Sequence, residues 1–451
     1  MTRRSGSRQP DDGVLDEVGT STTETPVRTR GNDMATPERS APDPATVSDD
    51  EASSQKSSKA TRTALLGAMF LMATSAVGPG FITQTTDFTV RLGSAFAFAI
   101  VASIIIDFAV QLNVWRVIGV SGIRAHELGN RVLPGVGYAL AALVVVGGLV
   151  FNIGNTSGAG LGTDAMFGLD PRIGGAISAL IAIGVFLSKR AGVGLDRIVV
   201  VLGAGMIIMT AYTAIVSRPP LGEALRNAVL PESINFLAIT TIVGGTVGGY
   251  ITYAGAHRLL DTGVTGPDNV GRITSTSLYG IIVTGVMRTL LFLAILGVTA
   301  GGAALADDNP TASAFEAALG AAGGVFFGVI LWAASITSVI GAAYTSVSFL
   351  TTSGTTRRRQ NILTVGFIAL SAALFVILGA APVTLLIFAG AFNGLILPIG
   401  FTVVVWVAWM RRDLMHGYHY PMWLKLVAVA VWLLTLYLGW MSLSGLSELW
   451  S

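Results

Sequence analysis

Two clusters of glycine and polar residues interrupt otherwise apolar stretches of this 451-residue chain. The clusters are Gly78-Pro79-Gly80, followed closely by Thr83-Gln84-Thr85-Thr86-Asp87, and Gly244-Gly245-Thr246-Val247-Gly248-Gly249-Tyr250. Proline and clustered glycine disrupt the hydrogen bonding of a helix. Inside a membrane, such a break leaves carbonyls and half-helix ends that can bind ions or polar solutes. We therefore predict a ligand site between the two breaks, with close helix packing through glycine as the alternative interpretation.

Three ionisable residues lie within or at the edge of long apolar stretches: Asp87, Asp107 and Arg288. A charge near the centre of a bilayer costs about 2.5–3.5 kcal/mol or more, so it needs a partner inside the protein. Asp107 and Arg288 fall at similar depths in their helices, and we predict an intramembrane ion pair between them. The pair either neutralises two buried charges or acts as a switch in which protonation of Asp107 releases Arg288. Asp87 and Arg91 have the i, i+4 spacing of a pair on one helical face.

The composition identifies the elements that must position these residues. Apolar residues make up 52% of the chain and charged residues only 12%, about half of what soluble domains contain. These values exclude a soluble enzyme, a disordered chain and a nucleic-acid binder, and they predict a polytopic helical membrane protein. The chain has no Cys, which excludes disulfides and thiolate metal sites. Walker, Rossmann and HExxH signatures are absent, so we expect neither an enzyme nor a bound cofactor.

Apolar stretches long enough to span a bilayer recur eleven times from Thr61 onward. The predicted transmembrane helices are 64–86, 93–116, 135–160, 172–188, 194–216, 237–258, 273–300, 319–350, 361–380, 383–410 and 421–446. Residues 1–60 are rich in polar and charged residues, and we predict a disordered cytoplasmic tail there. Residues 61–451 form the predicted transmembrane domain.

The distribution of Lys and Arg among the loops predicts the orientation of the chain. These residues concentrate in alternate loops, which places the N-terminus in the cytoplasm. An odd number of helices then places the C-terminus outside. The two breaks lie five helices apart, as a five-plus-five inverted repeat would place them. The repeats would cover 64–216 and 237–410, and 421–446 would be one extra helix.

Several motifs in this order resemble the Nramp family of divalent-metal transporters. They are Gly78-Pro79-Gly80-Phe81-Ile82, Gln111 to Arg116 with Ser121-Gly122 and Glu127-Leu128, Gly245-Thr246-Val247, Ala334-Ser335-Ile336-Thr337-Ser338 with Gly341, and Asn393-Gly394-Leu395 with Leu397-Pro398. The resemblance spans residues 64–410. It implies an all-α, leucine-transporter-type inverted repeat with one extra helix, and transport by alternating access.

The chain departs from this family at the metal site. The Asp-Pro-Gly-Asn motif of the first helix is absent: its Asp would align near Thr89, and Asp87 is the nearest acid. Gly248, Gly249 and Tyr250 stand where the family has Met, Pro and His. Without thioether and imidazole ligands, the site loses its preference for Mn²⁺ or Fe²⁺. Hydroxyls, amides and carbonyls suit a hard or hydrated cation such as Mg²⁺, or a neutral polar solute.

The resemblance also indicates candidate site residues. We expect substrate between the unwound parts of the first and sixth helices, bound by Gln84, Thr85, Thr86, Asp87, Gly248, Gly249, Tyr250 and Asn393, with Asp87 as the metal ligand if the substrate is Mg²⁺-like. Sodium-coupled relatives of this fold use hydroxyl residues of the eighth helix for the coupling ion. The corresponding candidates are Ser335, Thr337 and Ser338, although hydroxyl-to-backbone bonding is an alternative role for them. Asn152, Asn155 and Asn393 can equally form helix–helix hydrogen bonds.

The leading functional hypothesis is an Nramp-like secondary transporter of the plasma membrane that imports a cation. One alternative is a sodium- or proton-coupled carrier of a small polar organic solute without a metal site. Another is a non-transporting membrane sensor that signals through its tail. The expected surroundings are the lipid bilayer, with a small cation or polar solute as ligand and without nucleic acid or an obligate protein partner.

Overall fold

The structure, a computed structural model, describes Leu65, residues 76–351 and residues 354–447. The predicted tail (1–60) and most of the first half of the first predicted helix lie outside the described residues. The elements within them are α-helices and three 3₁₀ turns, with no β-strand. The α-helices, numbered in chain order, are α1 (Pro79–Leu92), α2 (Phe96–Ser121), α3 (Ala125–Val132), α4 (Val136–Phe167), α5 (Pro171–Leu187), α6 (Lys189–Val216), α7 (Leu221–Val229), α8 (Phe236–Gly244), α9 (Ile251–Asp261), α10 (Val270–Ala300), α11 (Pro310–Leu319), α12 (Ala321–Ser348), α13 (Arg357–Leu378), α14 (Pro382–Met410) and α15 (Met422–Ser447).

Most of the long helices have the length and composition of membrane spans. Seven of the described segments qualify: Pro79–Ser121, Val136–Phe167, Pro267–Ala300, Ala321–Ser348, Arg357–Leu378, Pro382–Met410 and Met422–Leu443. A bent pair, Val201–Val216 with Leu221–Val229, is a further candidate, and α5 is a shorter apolar helix. All of them overlap the predicted spans except α7, which follows the fifth one. The all-helical fold class is confirmed, and the count of eleven spans stays a prediction.

The first helix is interrupted just before α1. The backbone bends at Val77 and Gly78, and Pro79 is the first residue of α1, a position where its missing N–H leaves no helical bond unmade. With 14 residues, α1 is about 21 Å long, too short to cross a bilayer alone. The run Thr83–Asp87 therefore lies in regular helix rather than in an unwound segment. Our expectation for the backbone of this run is wrong, because the break precedes Pro79.

The second break separates α8 from α9. The side chain of Asn235 accepts a hydrogen bond from the backbone N–H of Ala238 at 2.8 Å and so caps the start of α8. Residues 245–250 are irregular, and Gly249 has a φ of 52° that favours glycine. The two helices have 9 and 11 residues, about 14 and 17 Å, so that both are needed for one crossing. The predicted interruption of the sixth helix is confirmed.

Glycines on α4 allow its neighbours to approach closely. A Cβ on Gly158 would overlap the ring of Pro79 at the start of α1, and one on Gly162 would lie 2.7 Å from the backbone N of Trp332 in α12. Gly154 faces α14 less closely, with Leu386 Cδ2 at 3.2 Å from an added Cβ. These contacts agree with the packing role of small residues in membrane helices. The glycine face of α4 (Gly154, Gly158 and Gly162) therefore brings the first break against the bundle.

Candidate functional site

The first break faces polar side chains of α4 and α12. A Cβ built on Gly78 would lie 2.7 Å from the Ser338 hydroxyl oxygen and 3.7 Å from Oδ1 of Asn155. Both side chains are fully buried. Gly78 thus lets α4 and α12 lie closer to the first break than a larger residue would allow. Its backbone faces the Asn155 amide and the Ser338 hydroxyl.

Asn155 and Tyr250 are two of the polar side chains with unsatisfied atoms at this centre. Both are 0% exposed, and Nδ2 and Oδ1 of Asn155 and the hydroxyl of Tyr250 have no partner with regular hydrogen-bond geometry. The Tyr250 hydroxyl is directed towards Asn155, and its ring packs edge-on against Phe151 with the centroids 5.5 Å apart. A buried polar group without a partner costs about 1–3 kcal/mol. Three such atoms side by side therefore indicate a place for a polar ligand or for water.

Gln84 connects α1 to the second break. Its amide nitrogen donates to the carbonyl of Leu386 at 2.8 Å, and its Oε1 is buried without a partner. A Cβ on Gly245 would overlap that oxygen. The structure therefore brings the predicted residue Gln84 to the interface between the two broken helices.

The other predicted residues of the first helix bond to groups outside the centre. The Thr85 hydroxyl donates to its own helix at Phe81, over 2.7 Å, and the Thr86 hydroxyl accepts from Thr311 of α11 at 2.9 Å. Asp87 pairs with Arg91 at 2.9 Å, and the side chain of Arg91 is 58% exposed. We had expected these three side chains to flank the ligand, and the structure instead assigns each of them a partner within the protein.

The glycines of the second break contact Asn393. Nδ2 of Asn393 donates to the carbonyls of Gly147 at 3.0 Å and of Ala389 at 2.8 Å. A Cβ on Gly249 would overlap Oδ1 of Asn393, and one on Gly248 would lie 2.8 Å from its carbonyl oxygen. Asn393 thus contacts the irregular backbone of the second break from α14 and also bonds α4.

The three coupling-ion candidates of α12 differ in their surroundings. Ser338 faces the first break, as described above. Ser335 donates to the carbonyl of Leu331 at 2.6 Å, and Thr337 donates to that of Ala334 at 2.8 Å. Ser335 is buried and Thr337 only partly so. The structure brings Ser338 to the broken helix, and it shows hydroxyl-to-backbone bonding for the other two.

Asp107 and Arg288 do not form the direct ion pair that we expected. Both are 1% exposed, but the ion pairs with nitrogen and oxygen within 4.0 Å in the described part of the chain do not include them. Arg288 instead stacks on the ring of Phe81, with its Cζ 4.3 Å from the centroid, and lies 3.5 Å from the hydroxyl of Ser103. Asp107 reaches Thr246 of the second break. The two opposite charges act on each other without touching.

The described residues contain no group of three or more His, Cys, Asp or Glu side chains that could hold a metal ion. The side chains at the centre are amides and hydroxyls, without a negative charge. They can share hydrogen bonds with a polar solute, but they cannot balance the charge of a dehydrated divalent ion.

A second polar network ties the end of α9 to α12. Arg124 donates to Asp261 at 2.8 Å and to the carbonyls of Ser348 and Thr351 at 3.0 and 3.1 Å. The Tyr344 hydroxyl donates to the other carboxylate oxygen of Asp261 at 2.8 Å. Asp261 thus joins both helices, and we call Arg124, Asp261 and Tyr344 the helix-end clamp.

Replacing Asp261 with Asn should open this end of the bundle. Asn keeps one acceptor oxygen, so the change removes one of the two charge-assisted hydrogen bonds, worth about 1.5 kcal/mol, and the open population should rise roughly tenfold. A single cysteine at buried Ser346 would report the opening through its rate of alkylation, because the chain has no other cysteine. Asp413→Asn, in the exposed pair with Arg411, is the control. Equal alkylation rates in the two variants would contradict the clamp.

Sequence reasoning missed His257, because its partners are remote in sequence. The structure buries it within α9. Its Nδ1 lies 2.9 Å from the Ser348 hydroxyl, and its Nε2 accepts the backbone N–H of Ala125 at 3.3 Å. Neighbouring His126 on α3 is partly enclosed, and burial lowers its pKa. The two histidines add to the contacts around the helix-end clamp.

Comparison with known proteins identifies the family. The model of the natural resistance-associated macrophage protein-like family (Nramp) matches residues 69–444. The uncharacterized membrane protein YcsG of Bacillus subtilis is 49% identical over 389 residues, which cover 86% of this chain and 96% of that protein. An uncharacterized membrane protein of Haemophilus influenzae is also 49% identical, over 80% of this chain and 91% of its own length.

Solved structures show the same fold at low sequence identity. The manganese transporter of Eremococcus coleocola, in complex with an aromatic bis-isothiourea substituted compound, has a TM-score of 0.68 at 16% identity and covers 85% of this chain and 86% of its own. MhsT in complex with L-phenylalanine has a TM-score of 0.61 at 16% identity, with 84% and 98% covered. The leucine-transporter-type architecture is thereby confirmed. The chain therefore belongs to the Nramp family of multi-pass membrane transporters.

Proposed function

We propose that this chain is a secondary transporter that works by alternating access and carries a small polar organic solute. The observation that carries the proposal is the group of fully buried atoms of Asn155 and Tyr250 beside the first break, which face each other without a regular hydrogen bond. Broken helices place half-helix ends around a central ligand in transporters of this kind. The solute would bind the amide and the hydroxyl with its own donors and acceptors.

The charge of the site supports this class of substrate. Neutral amide and hydroxyl groups can replace the hydrogen bonds to water that a polar organic molecule loses when it enters the site. A bare divalent ion in the same place would keep an uncompensated double charge. Asp87 does not supply the missing charge, because its carboxylate is paired with Arg91.

A hydrated divalent cation is the second candidate, and the family relation favours it. The Eremococcus coleocola neighbour is a manganese transporter. A hard cation such as Mg²⁺ keeps several waters when it is bound, and those waters could contact neutral oxygens such as that of Asn155. The soft ligands that favour Mn²⁺ or Fe²⁺ do not stand at the sixth-helix positions of this chain.

A flux screen in proteoliposomes separates these cargoes. Radiolabelled amino acids, Mn²⁺, Mg²⁺ and Na⁺ would be tested one by one, with and without a pH gradient. We expect saturable uptake of one or more of the organic solutes and no calorimetric signal for Mn²⁺ or Mg²⁺ in a folded sample. Asn155→Ala is the matched variant and should reduce the uptake. Saturable uptake of Mg²⁺ or Mn²⁺ with no organic substrate would contradict the proposal.

A further inference from the structure

Asp107 is a buried carboxyl group that no counter-ion contacts directly. It lies on α2, is 1% exposed, and its Oδ1 has no hydrogen-bond partner. Its side chain lies within hydrogen-bonding reach of Thr246, in the irregular segment between α8 and α9. The carboxyl group is therefore in contact with the backbone break that helps to form the central site.

Arg288 is the charged group that acts on Asp107 from α10. Its Nε and Nη2 are buried without partners. Its guanidinium group is held by the Phe81 ring of α1 and by the Ser103 hydroxyl, which lies one helical turn before Asp107 on α2. Those two neighbours carry no charge and do not titrate. Arg288 thus favours the negative form of the Asp107 carboxylate, but it does not contact it.

This arrangement is unsuited to permanent neutralisation. A buried ion pair offsets the loss of hydration only when the geometry is close and the remaining atoms are hydrogen-bonded. Here the two side chains do not touch, and three of their polar atoms lack partners. A carboxyl group in such surroundings has two accessible forms: a neutral one that avoids the cost of a buried charge, and a negative one that Arg288 stabilises.

The form that Asp107 adopts affects the second break through Thr246. The Thr246 hydroxyl has one hydrogen, which it donates to the Ile242 carbonyl at 2.6 Å. A protonated Asp107 can donate its own hydrogen to the Thr246 oxygen and leave that bond intact. A negative Asp107 can only accept, so it competes for the Thr246 hydrogen and frees the carbonyl near the end of α8.

We propose that Asp107 is the binding site of the coupling proton. In one conformation a proton from water on one side bonds to the carboxylate of Asp107. In the other conformation it returns to water on the opposite side, and Arg288, which stays charged throughout, becomes the partner of the carboxylate. One proton crosses per cycle, and the transition of the second break follows its binding and release. The coupling role rests on the transport function proposed above.

Transport by the Asp107→Asn variant tests the coupling. Asn keeps the size of the side chain and cannot exchange the proton. In proteoliposomes that hold the full chain, accumulation driven by a pH gradient should fall to the level seen without a gradient. Exchange of labelled for unlabelled amino acid, with the one taken up in the flux screen, should persist at equal pH and show that the variant is folded. Asp107→Glu should restore part of the response, and Asp413→Asn, at an exposed pair, should retain all of it. Gradient-driven accumulation by Asp107→Asn would overturn the proposal.

A second measurement does not depend on finding the solute. Infrared difference spectra between acidic and alkaline buffer should contain a protonated-carboxyl band that is present in the wild type and in Asp413→Asn and missing in Asp107→Asn. The absence of that difference would overturn the proton site whatever the transport result. If the band titrates in a chain that moves none of the tested solutes, the transport function fails and Asp107 remains a proton-binding group.

Discussion

Replacing Gly244 with Ala is expected to prevent the chain from forming a stable bundle. A Cβ at this position would overlap the Gly390 carbonyl oxygen and the Gly394 backbone nitrogen, both in α14. Backbone atoms cannot rotate away as a side chain can, so α8 and α14 would have to separate. Overpacking typically costs about 1–3 kcal/mol even when side chains can adjust, and here we expect more, out of a total stability of about 5–15 kcal/mol.

Size-exclusion profiles and thermal unfolding of the purified protein in detergent would measure this effect. Gly184→Ala is the matched control, since Gly184 lies in α5 and no atom from another part of the chain lies within 4 Å of the added Cβ. That change should leave the melting temperature equal or slightly higher, because Ala is favoured over Gly in a helix by about 0.5–1 kcal/mol. A Gly244→Ala protein that is monodisperse and melts with the wild type would show that α8 and α14 do not pack as closely as described.

Replacing Asn155 with Ala is expected to weaken substrate binding and to leave the empty protein as stable or more stable. The side chain has two buried atoms without a regular hydrogen bond, and removing such atoms relieves an unsatisfied group. The bound solute would lose a hydrogen bond of about 1–1.5 kcal/mol, which corresponds to roughly tenfold in affinity. Uptake kinetics and thermal unfolding on the same preparation give the two quantities.

Asn152→Ala should have the opposite pattern. Asn152 lies one turn earlier on α4, and its amide nitrogen donates to the Ser371 hydroxyl of α13 at 2.9 Å. Its loss should lower the melting temperature and leave the affinity unchanged. The two variants make the same chemical change on one helix, so a general weakening of the bundle cannot produce both patterns. If Asn155→Ala and the wild type bind the solute with equal affinity, Asn155 does not contribute to the binding site.

The sequence could predict most of the long helices that the structure describes and the two breaks, because both depend on local composition. Hydropathy marks the long helices, and the glycines from Gly244 to Gly249 mark a segment that cannot remain helical. Pro79 was harder to interpret, since the same residue can interrupt a helix or begin one. In the structure it begins α1, and this explains why Thr85 and Asp87 lie in regular helix while Gln84 still reaches the second break.

Contacts between distant residues could not be predicted in the same way. Depth along a helix follows from residue counting, and it placed Asp107 and Arg288 near each other, but not in the direct ion pair that we predicted. The direction of each side chain depends on neighbours such as Phe81, which belongs to another helix. Asn155 illustrates the same difficulty: its type is equally suited to a helix–helix bond, as Asn152 makes, and only the packed bundle shows that its atoms make no regular hydrogen bond.

The glycine face of α4 has a mechanical consequence. Helices whose side chains interlock as ridges and grooves settle into a few discrete registers, and moving from one to the next requires the helices to part. Gly158 and Gly162 present no ridge to the residues opposite them, Pro79 and Trp332. Along this line the start of α1 and the middle of α12 pack on a surface of α4 that has no side chains. Sliding along this surface meets little steric resistance. A bulkier residue at Gly158 or Gly162 would lower the rate of conformational exchange.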